Sequence, residues 1–339
     1  MSNSRILYLF TRTPLHVGAG ASVGAIDQPI QRERHTGVPV IPASSLKGTF
    51  ADAWNDGLLD EHDKGETKKV RVKKDGTASD AAWLFGSDSD KHAAAGALQF
   101  SEAKLLAFPI RSAKGSFAWI TCPLMLRRAV RDRVITADCL PTKIPTDEQA
   151  LFASTVPYGN QQMPGPLRLD VQVNGQPVKR IVLEEYTFTW ANDLPVNLGA
   201  TLATLVAGDP VWQEVANRLV ILSDGMMSFF AQNACEVAQH VKISDETGTA
   251  EGGALFNQEN VPSETLFYSV LHAFDERTAN KAKDQRRDGG KAIETFETKL
   301  KAVGVFQFGG DASTGLGYCT IALQEPVPAA TPPAATTTI

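Results

Sequence analysis

Residues 6–10 form a short apolar run that alternates only weakly and carries the β-formers Tyr8 and Phe10, so it predicts a strand. The first helical pattern begins after Ser44 and Ser45, two good helix N-caps, where Leu46, Phe50 and Trp54 recur at helical spacing. Between them, residues 18–43 show no helical period, and a connection of that length inside a compact domain is usually functional. Gly18, Gly20 and Gly24 would let its backbone approach a ligand closely. Residues 96–110 and 116–126 read as strands broken by a polar turn at 111–115. Residues 132–172, rich in Pro, Thr and Gly, read as largely irregular. Residues 171–190 place Asn174-Gly175 between alternating positions, a strong hairpin signal. Residues 209–239 are helical in pattern, with Asp209 as N-cap and Pro210 in the first helical position. A break near 223–225 lets Asp224 start a second helix. Residues 261–274 read as a long buried strand, and 291–302 as an amphipathic helix with Ile293, Phe296 and Leu300 on one side. A last strand pair, 303–323, surrounds a glycine-rich loop.

Strand, helix, strand, strand, then helix and strand is the order of an α+β, ferredoxin-like or RRM-type core. The chain therefore reads as one elaborated domain, 1–325, with a disordered Pro/Ala/Thr tail at 326–339. Residues 55–80 are charged, glycine-punctuated and poor in apolar side chains, and read as a mobile insertion.

Composition bounds the reading without deciding it. A hydrophobic fraction of 43% supplies a sizeable core. No apolar run approaches membrane-spanning length, so no membrane partner is expected, and the cytoplasm is the expected compartment. Cys122, Cys139, Cys235 and Cys319 are scattered without a C-x-x-C pair, which argues against zinc and against a disulfide scaffold. A net charge of −5 is unlike a free-standing RNA binder, although it says little about a local groove.

Candidate chemistry concentrates in the long first loop. Asp27, beside Gln28 and Pro29, either shapes a turn or offers a carboxylate to a divalent ion or a proton. His16 suits acid–base work near neutral pH, or stacks on a base, or caps the loop. Lys47, at a helix start with Ser44 and Ser45, fits a phosphate, and Arg32 and Arg34 alternate toward the same groove. Gly309, Gly310, Gly315 and Gly317 present amides that could cradle an RNA backbone. The place of this loop near the C-terminus makes a Walker or Rossmann reading poor, because no GKS/T and no downstream acidic partner follow.

The run HVGAGASVGAIDQPIQRE from His16, the TG-PVIP-SSLKG pieces from Thr36, and FGGDASTGLGY from Phe308 together resemble the RAMP proteins of CRISPR effector complexes. ETGTAEGGALF from Glu246, followed by VPSETLFYSVL, extends the likeness. The order of the pieces is most similar to the backbone subunit of the type III-B, or Cmr, complex.

The resemblance implies an RRM-like core with a finger-like insertion and a thumb hairpin. The thumb would fall at 171–185 or 243–262, the second being the better match. It also implies that Asp27 is needed for cutting target RNA, with a divalent metal such as Mg or Mn and a 2′-hydroxyl nucleophile that leaves a cyclic phosphate. Glu259 lies where the family carries acidic and aromatic residues, though here Gln258 and Asn260 flank it and the stretch has no Tyr. The implied partners are guide RNA, target RNA, further copies of the chain head-to-tail and other Cmr subunits. The implied alternatives are a catalytically silent scaffold of the same complex and a free-standing nuclease acting on guide precursors.

Overall fold

A computed structural model describes residues 3–20, 24–54, 59–63, 66–70, 79–87, 95–244, 246–277, 284 and 286–329. The remainder of the predicted insertion (55–58, 64–65 and 71–78) and the tail beyond 329 lie outside these residues.

The chain begins with β1 (Ser4–Thr11), crosses the long loop to β2 (Val40–Ile41) and enters α1 (Ala43–Asp52). The insertion contributes the pair β3 (Leu59–Asp63) and β4 (Glu66–Val70) before α2 (Asp80–Phe85), β5 (Leu98–Phe100) and β6 (Ala103–Arg111). A second half follows: β7 (Phe117–Thr121), α3 (Pro123–Arg131), β8 (Gln149–Phe152), β9 (Thr155–Tyr158), β10 (Gln161–Pro164) and β11 (Leu169–Val173). It continues through β12 (Gln176–Leu183), β13 (Tyr186–Asn192), α4 (Leu198–Leu205), α5 (Val215–Arg218), β14 (Leu219–Ile221) and α6 (Asp224–Asn233). The chain then forms the hairpin β15 (Glu236–Ile243) and β16 (Ala250–Asn260), and returns as β17 (Leu266–Ala273), α7 (Gly289–Val303), β18 (Val305–Gln307) and β19 (Tyr318–Gln324).

The neighbours β6-β17-β1-β19 are all antiparallel, with α1 following β1 and α7 following β17. That is the ferredoxin-like order, with the second half inserted between its second and third strands. The inserted strands extend the same sheet as β7-β14-β8-β13-β12-β11, through parallel contacts at β14–β7 and β13–β8.

Strand β1 is buried on both faces, which explains its weak alternation. Leu7 and Leu9 join the core under α1 and α7, with Phe50, Ile293, Phe296 and Leu300. Ile6, Tyr8 and Phe10 join a second core with Leu126, Leu202 and Trp212 from the inserted half. Phe50 packs against Phe100, Phe296, Phe306 and Phe308 at centroid distances of 5.1–5.6 Å.

Several boundaries differ from the sequence reading. Helix α1 starts after Pro42, whose carbonyl accepts Leu46 N–H, so Ser44 and Ser45 lie within the first turn and neither side chain caps it. The strand expected over 116–126 stops at Thr121, because Pro123 opens α3. The segment 132–172 holds four strands, β8 to β11. The helical reading of 209–239 is broken by β14, whose Leu-Val-Ile run is buried in the sheet, and ends as β15. Asp209 Oδ1 accepts Val211 and Trp212 N–H and closes the turn ahead of a short 3-10 helix, Trp212–Glu214, whose N-cap is Val211; Asp224 opens α6 as read, with Ser223 as its N-cap. The Asn174-Gly175 hairpin forms as read, with both residues at positive φ.

Candidate functional site: the first loop clamped on a hairpin

Of the two hairpins expected as a thumb, β11–β12 is part of the main sheet, whereas β15–β16 is a separate two-stranded ladder. The base of β16 organises the site. Leu15 and Val261 exchange backbone hydrogen bonds at 2.8 and 2.9 Å. Gln28 N–H donates to Asn257 O, and Glu259 N–H donates to Gln28 O. The first loop thus meets the end of the hairpin at two separate points, Leu15 on Val261 and Gln28 beside Gln258.

Three consecutive residues of β16 each hold a different segment. Asn257 holds Asp27: its Oδ1 accepts Asp27 N–H at 2.7 Å, its own N–H donates to Asp27 Oδ2 at 2.8 Å, and its Nδ2 donates to Ala25 O at 3.0 Å. Gln258, 1% exposed, donates from Nε2 to Asp311 in the glycine loop at 2.7 Å. Glu259 accepts from Ile30 N–H and, at 2.6 Å, from Arg32 Nη2, while its carbonyl lies 2.7 Å from His16 Nδ1.

The predicted residues therefore separate into two groups. His16, Arg32 and Glu259 are internal. Arg32 was expected in the RNA groove; its guanidinium instead donates to Gly37 O, Ala231 O and Glu259, and lies 3.3 Å from Cys235 Sγ. Burial pushes the Cys235 thiol up to about 12, so it is a neutral thiol beside that cation. His16 is 8% exposed and Glu259 7% exposed.

The second group is open. Asp27 is exposed and its Oδ1 has no partner among the described residues. Lys47 and Arg34 are exposed, and neither has an ion pair or hydrogen bond among the described residues. Ser44 and Ser45 place first-turn amides beside Lys47.

The glycine loop is largely committed to the protein itself. Gly310 N–H donates to His16 O, Gly317 N–H to Pro14 O and Gly315 N–H to Ala312 O, so these three amides are occupied. Gly309 and Gly317 have positive φ, and a Cβ at either would collide with a carbonyl, of His16 and Phe308 respectively. Those two glycines are explained by close packing of the chain on itself.

Sequence reasoning missed Asn257, Gln258, Asp311 and Arg128. Arg128 on α3 grips both Glu33 carboxylate oxygens at 3.0 Å and donates to His35 Nε2, fixing the far end of the loop. An Asn or Gln on a strand carries no pattern of its own, so no signal marked them. On the hairpin, Val237, Val241, Ile243 and Leu255 are exposed, and His240 stacks on Phe256 at 5.2 Å.

Among the described residues no three or more His, Cys, Asp or Glu side chains converge on a metal position. Among the described residues of the site, Asp27 Oδ1 and Asp311 Oδ1 accept no hydrogen bond, and each offers one carboxylate oxygen. That donor set fits a magnesium-type ion carried mainly on substrate phosphate and water, and does not fit a cage built from protein ligands alone. No helix among the described residues is long and apolar enough to cross a membrane.

Residues 9–320 match the RAMP superfamily. The CRISPR system Cmr endoribonuclease Cmr4 of Pyrococcus furiosus is 30% identical over 321 residues, covering 94% of each chain. The crystal structure of oligomeric Cmr4 from the same organism superposes with a TM-score of 0.60 at 24% identity, covering 95% of this chain and 98% of that one. The cryo-EM structure of the type III-B Cmr-beta bound to cognate target RNA contains a chain with a TM-score of 0.60 at 19% identity, covering 94% of this chain and 96% of that one, a likeness of fold.

Proposed function

The chain belongs to the RAMP superfamily and is homologous to Cmr4, and on that premise we propose that it is an RNA-cutting backbone subunit of a type III-B effector complex. It binds guide RNA, stacks head-to-tail with further copies beside other Cmr subunits, and cleaves the paired target. Base pairing supplies the sequence choice and the protein supplies geometry. The observation that carries the reading is the placement of Asp27: an exposed carboxylate, pinned through one oxygen to the base of a separate hairpin, with the other oxygen free.

The reaction this supports is transesterification within the target strand. The 2′-hydroxyl oxygen attacks the adjacent phosphorus, its proton passes to a base, and the P–O5′ bond breaks. A 2′,3′-cyclic phosphate forms on one fragment, and the departing 5′-oxygen takes a proton. Asp27 Oδ1 is suited to accept the hydroxyl proton or to anchor a cation. A magnesium or manganese ion held by Asp27 and the scissile phosphate would neutralise charge on the non-bridging oxygens. The hairpin, with exposed Leu255 and the His240–Phe256 stack, wedges the duplex so that one target nucleotide leaves the stack near Asp27. Lys47, Arg34 and the amides of Ser44 and Ser45 hold guide phosphates.

His16 and Glu259 support this arrangement through its framework, since both are buried and bonded within the protein. Gly309, Gly310, Gly315 and Gly317 shape the floor beneath them. The test is cleavage of a matching target RNA by the assembled complex with a divalent metal. Regularly spaced cuts that vanish with Asp27→Asn are expected. Binding without cutting in the unaltered complex would leave only the scaffold reading.

A further inference from the structure

We infer that Asn257 is a positioning residue for cleavage: it fixes Asp27 from both ends and couples that carboxylate to the hairpin. The inference rests on the reading of Asp27 as the catalytic carboxylate and adds a residue to it. Asp27 is gripped twice by this one residue, at its amide by Asn257 Oδ1 and at its carboxylate by Asn257 N–H. A third bond, from Asn257 Nδ2 to Ala25 O, holds the chain two residues earlier. The side chain must accept one backbone bond and donate another at the same time, and only a primary amide of this length does both. Asp keeps the acceptor and loses the donor, Leu loses both, and Gln is one methylene too long.

No other side chain among the described residues bonds to Asp27. Beyond it, the chain is held by the backbone bonds of Gln28 to Asn257 and Glu259, by Ala19 N–H on Pro29 O and by Ile30 N–H on the Glu259 carboxylate. Glycines at positive φ precede the segment, Gly20 and Gly24, so its entry is easily turned. Without the amide, Oδ2 keeps its bond to Asn257 N–H, while the peptide bearing Asp27 is free to rotate about it. A displacement of about 1 Å at a reacting group can lower a rate by about 10²-fold. Because Asn257 belongs to β16, pressure of a duplex on the hairpin is transmitted to Asp27 through these same bonds.

The test compares Asn257→Leu, Asn257→Asp and Asp27→Asn in the assembled complex, with single-turnover cleavage at saturating target and target affinity measured side by side. Asn257→Leu is expected to slow cleavage about 10- to 100-fold while target affinity stays within about twofold. Asn257→Asp, which keeps the bond from Asp27 N–H, should recover part of the rate. Cleavage by Asn257→Leu at the unaltered rate overturns the inference while leaving Asp27 in place. So does a loss of assembly or affinity in step with the rate, or an Asn257→Asp no faster than Asn257→Leu. Normal cleavage by Asp27→Asn would bring down the catalytic reading itself, and the positioning role with it.

Discussion

The inner and outer charged residues of the site, on the first loop and on β16 against it, are of similar kinds and behave in opposite ways. Arg32 and Glu259 face inward, and each makes several bonds within the protein. Arg34 and Asp27 face outward, and their free atoms have no protein partner among the described residues. The inner pair builds the support and the outer pair is available to RNA. Charge alone does not assign a function here, because a charged group already satisfied inside the protein has nothing left to offer a ligand.

The sharpest test of this contrast is Asp27→Asn. The amide preserves shape and can still accept Asn257 N–H, so assembly and target binding should persist. Cleavage should fall by about 10²- to 10⁴-fold, the range for removing a group active in proton transfer. Measuring rate and target affinity on the same preparation checks it. An equal loss of both would place Asp27 with the inner group.

Glu259→Ala should do the reverse. It leaves the Arg32 cation without its carboxylate in a site where the two side chains are only 20% and 10% exposed. Removing one member of a buried pair costs about 3 kcal/mol, and the lost bond to Ile30 N–H adds to it. The melting temperature of the isolated chain should drop clearly, and any loss of cleavage should follow the folded fraction. A stable variant that binds target but does not cut it would move Glu259 to the outer, reactive group.

The core of the fold was legible because its signals are local and strong. The β1 run, the Asn174-Gly175 turn and the apolar stripe of α7 all formed as read. Strand β14 was missed because a three-residue apolar run between two helices has no period of its own. The site was legible in part, since Asp27, Lys47 and Arg34 do lie exposed. What sequence could not show was that Arg32 and Arg34, two residues apart, point to different sides. Alternation on an irregular loop is set by its partners, here Glu259 and Ala231, which lie about 200 positions away. The packing of the glycine loop was hidden for a related reason: Gly309 and Gly317 lie against the carbonyls of His16 and Phe308, contacts that exist only after folding.

A smaller effect separates two glutamates at the base of the hairpin. Glu259 faces a cation, whereas Glu264 is half-buried, and its carboxyl is pushed up to about 7 by burial and then by Asp209, with Arg12 opposing. A carboxyl raised from its ordinary 4.5 holds its proton more tightly folded than unfolded, so this group favours folding below about pH 4.5, and that contribution fades as pH rises toward 7. Glu264→Gln should therefore raise the melting temperature at about pH 8 and leave it nearly unchanged at about pH 4. The same gain at both pH values would show that Glu264 acts through packing rather than through its charge.

Lys47→Ala should give the least change in the protein and a distinct one in RNA binding. The side chain is exposed and has no protein partner among the described residues, so stability should stay within about 0.5 kcal/mol. If its ammonium neutralises one guide phosphate, its loss releases one counterion fewer, and the slope of log affinity against log salt should shrink by about one for every guide sequence. Cleavage should fall only as far as guide loading falls, and raising the protein concentration should restore it. Arg32→Ala provides the inner counterpart: it should lower stability because it leaves Glu259 buried without its cation, and it should not change the salt slope once folding is allowed for. Titrations at several salt concentrations on both variants decide the matter. An unchanged slope for Lys47→Ala, or an equal fall for both, would erase the division between the inner and outer residues.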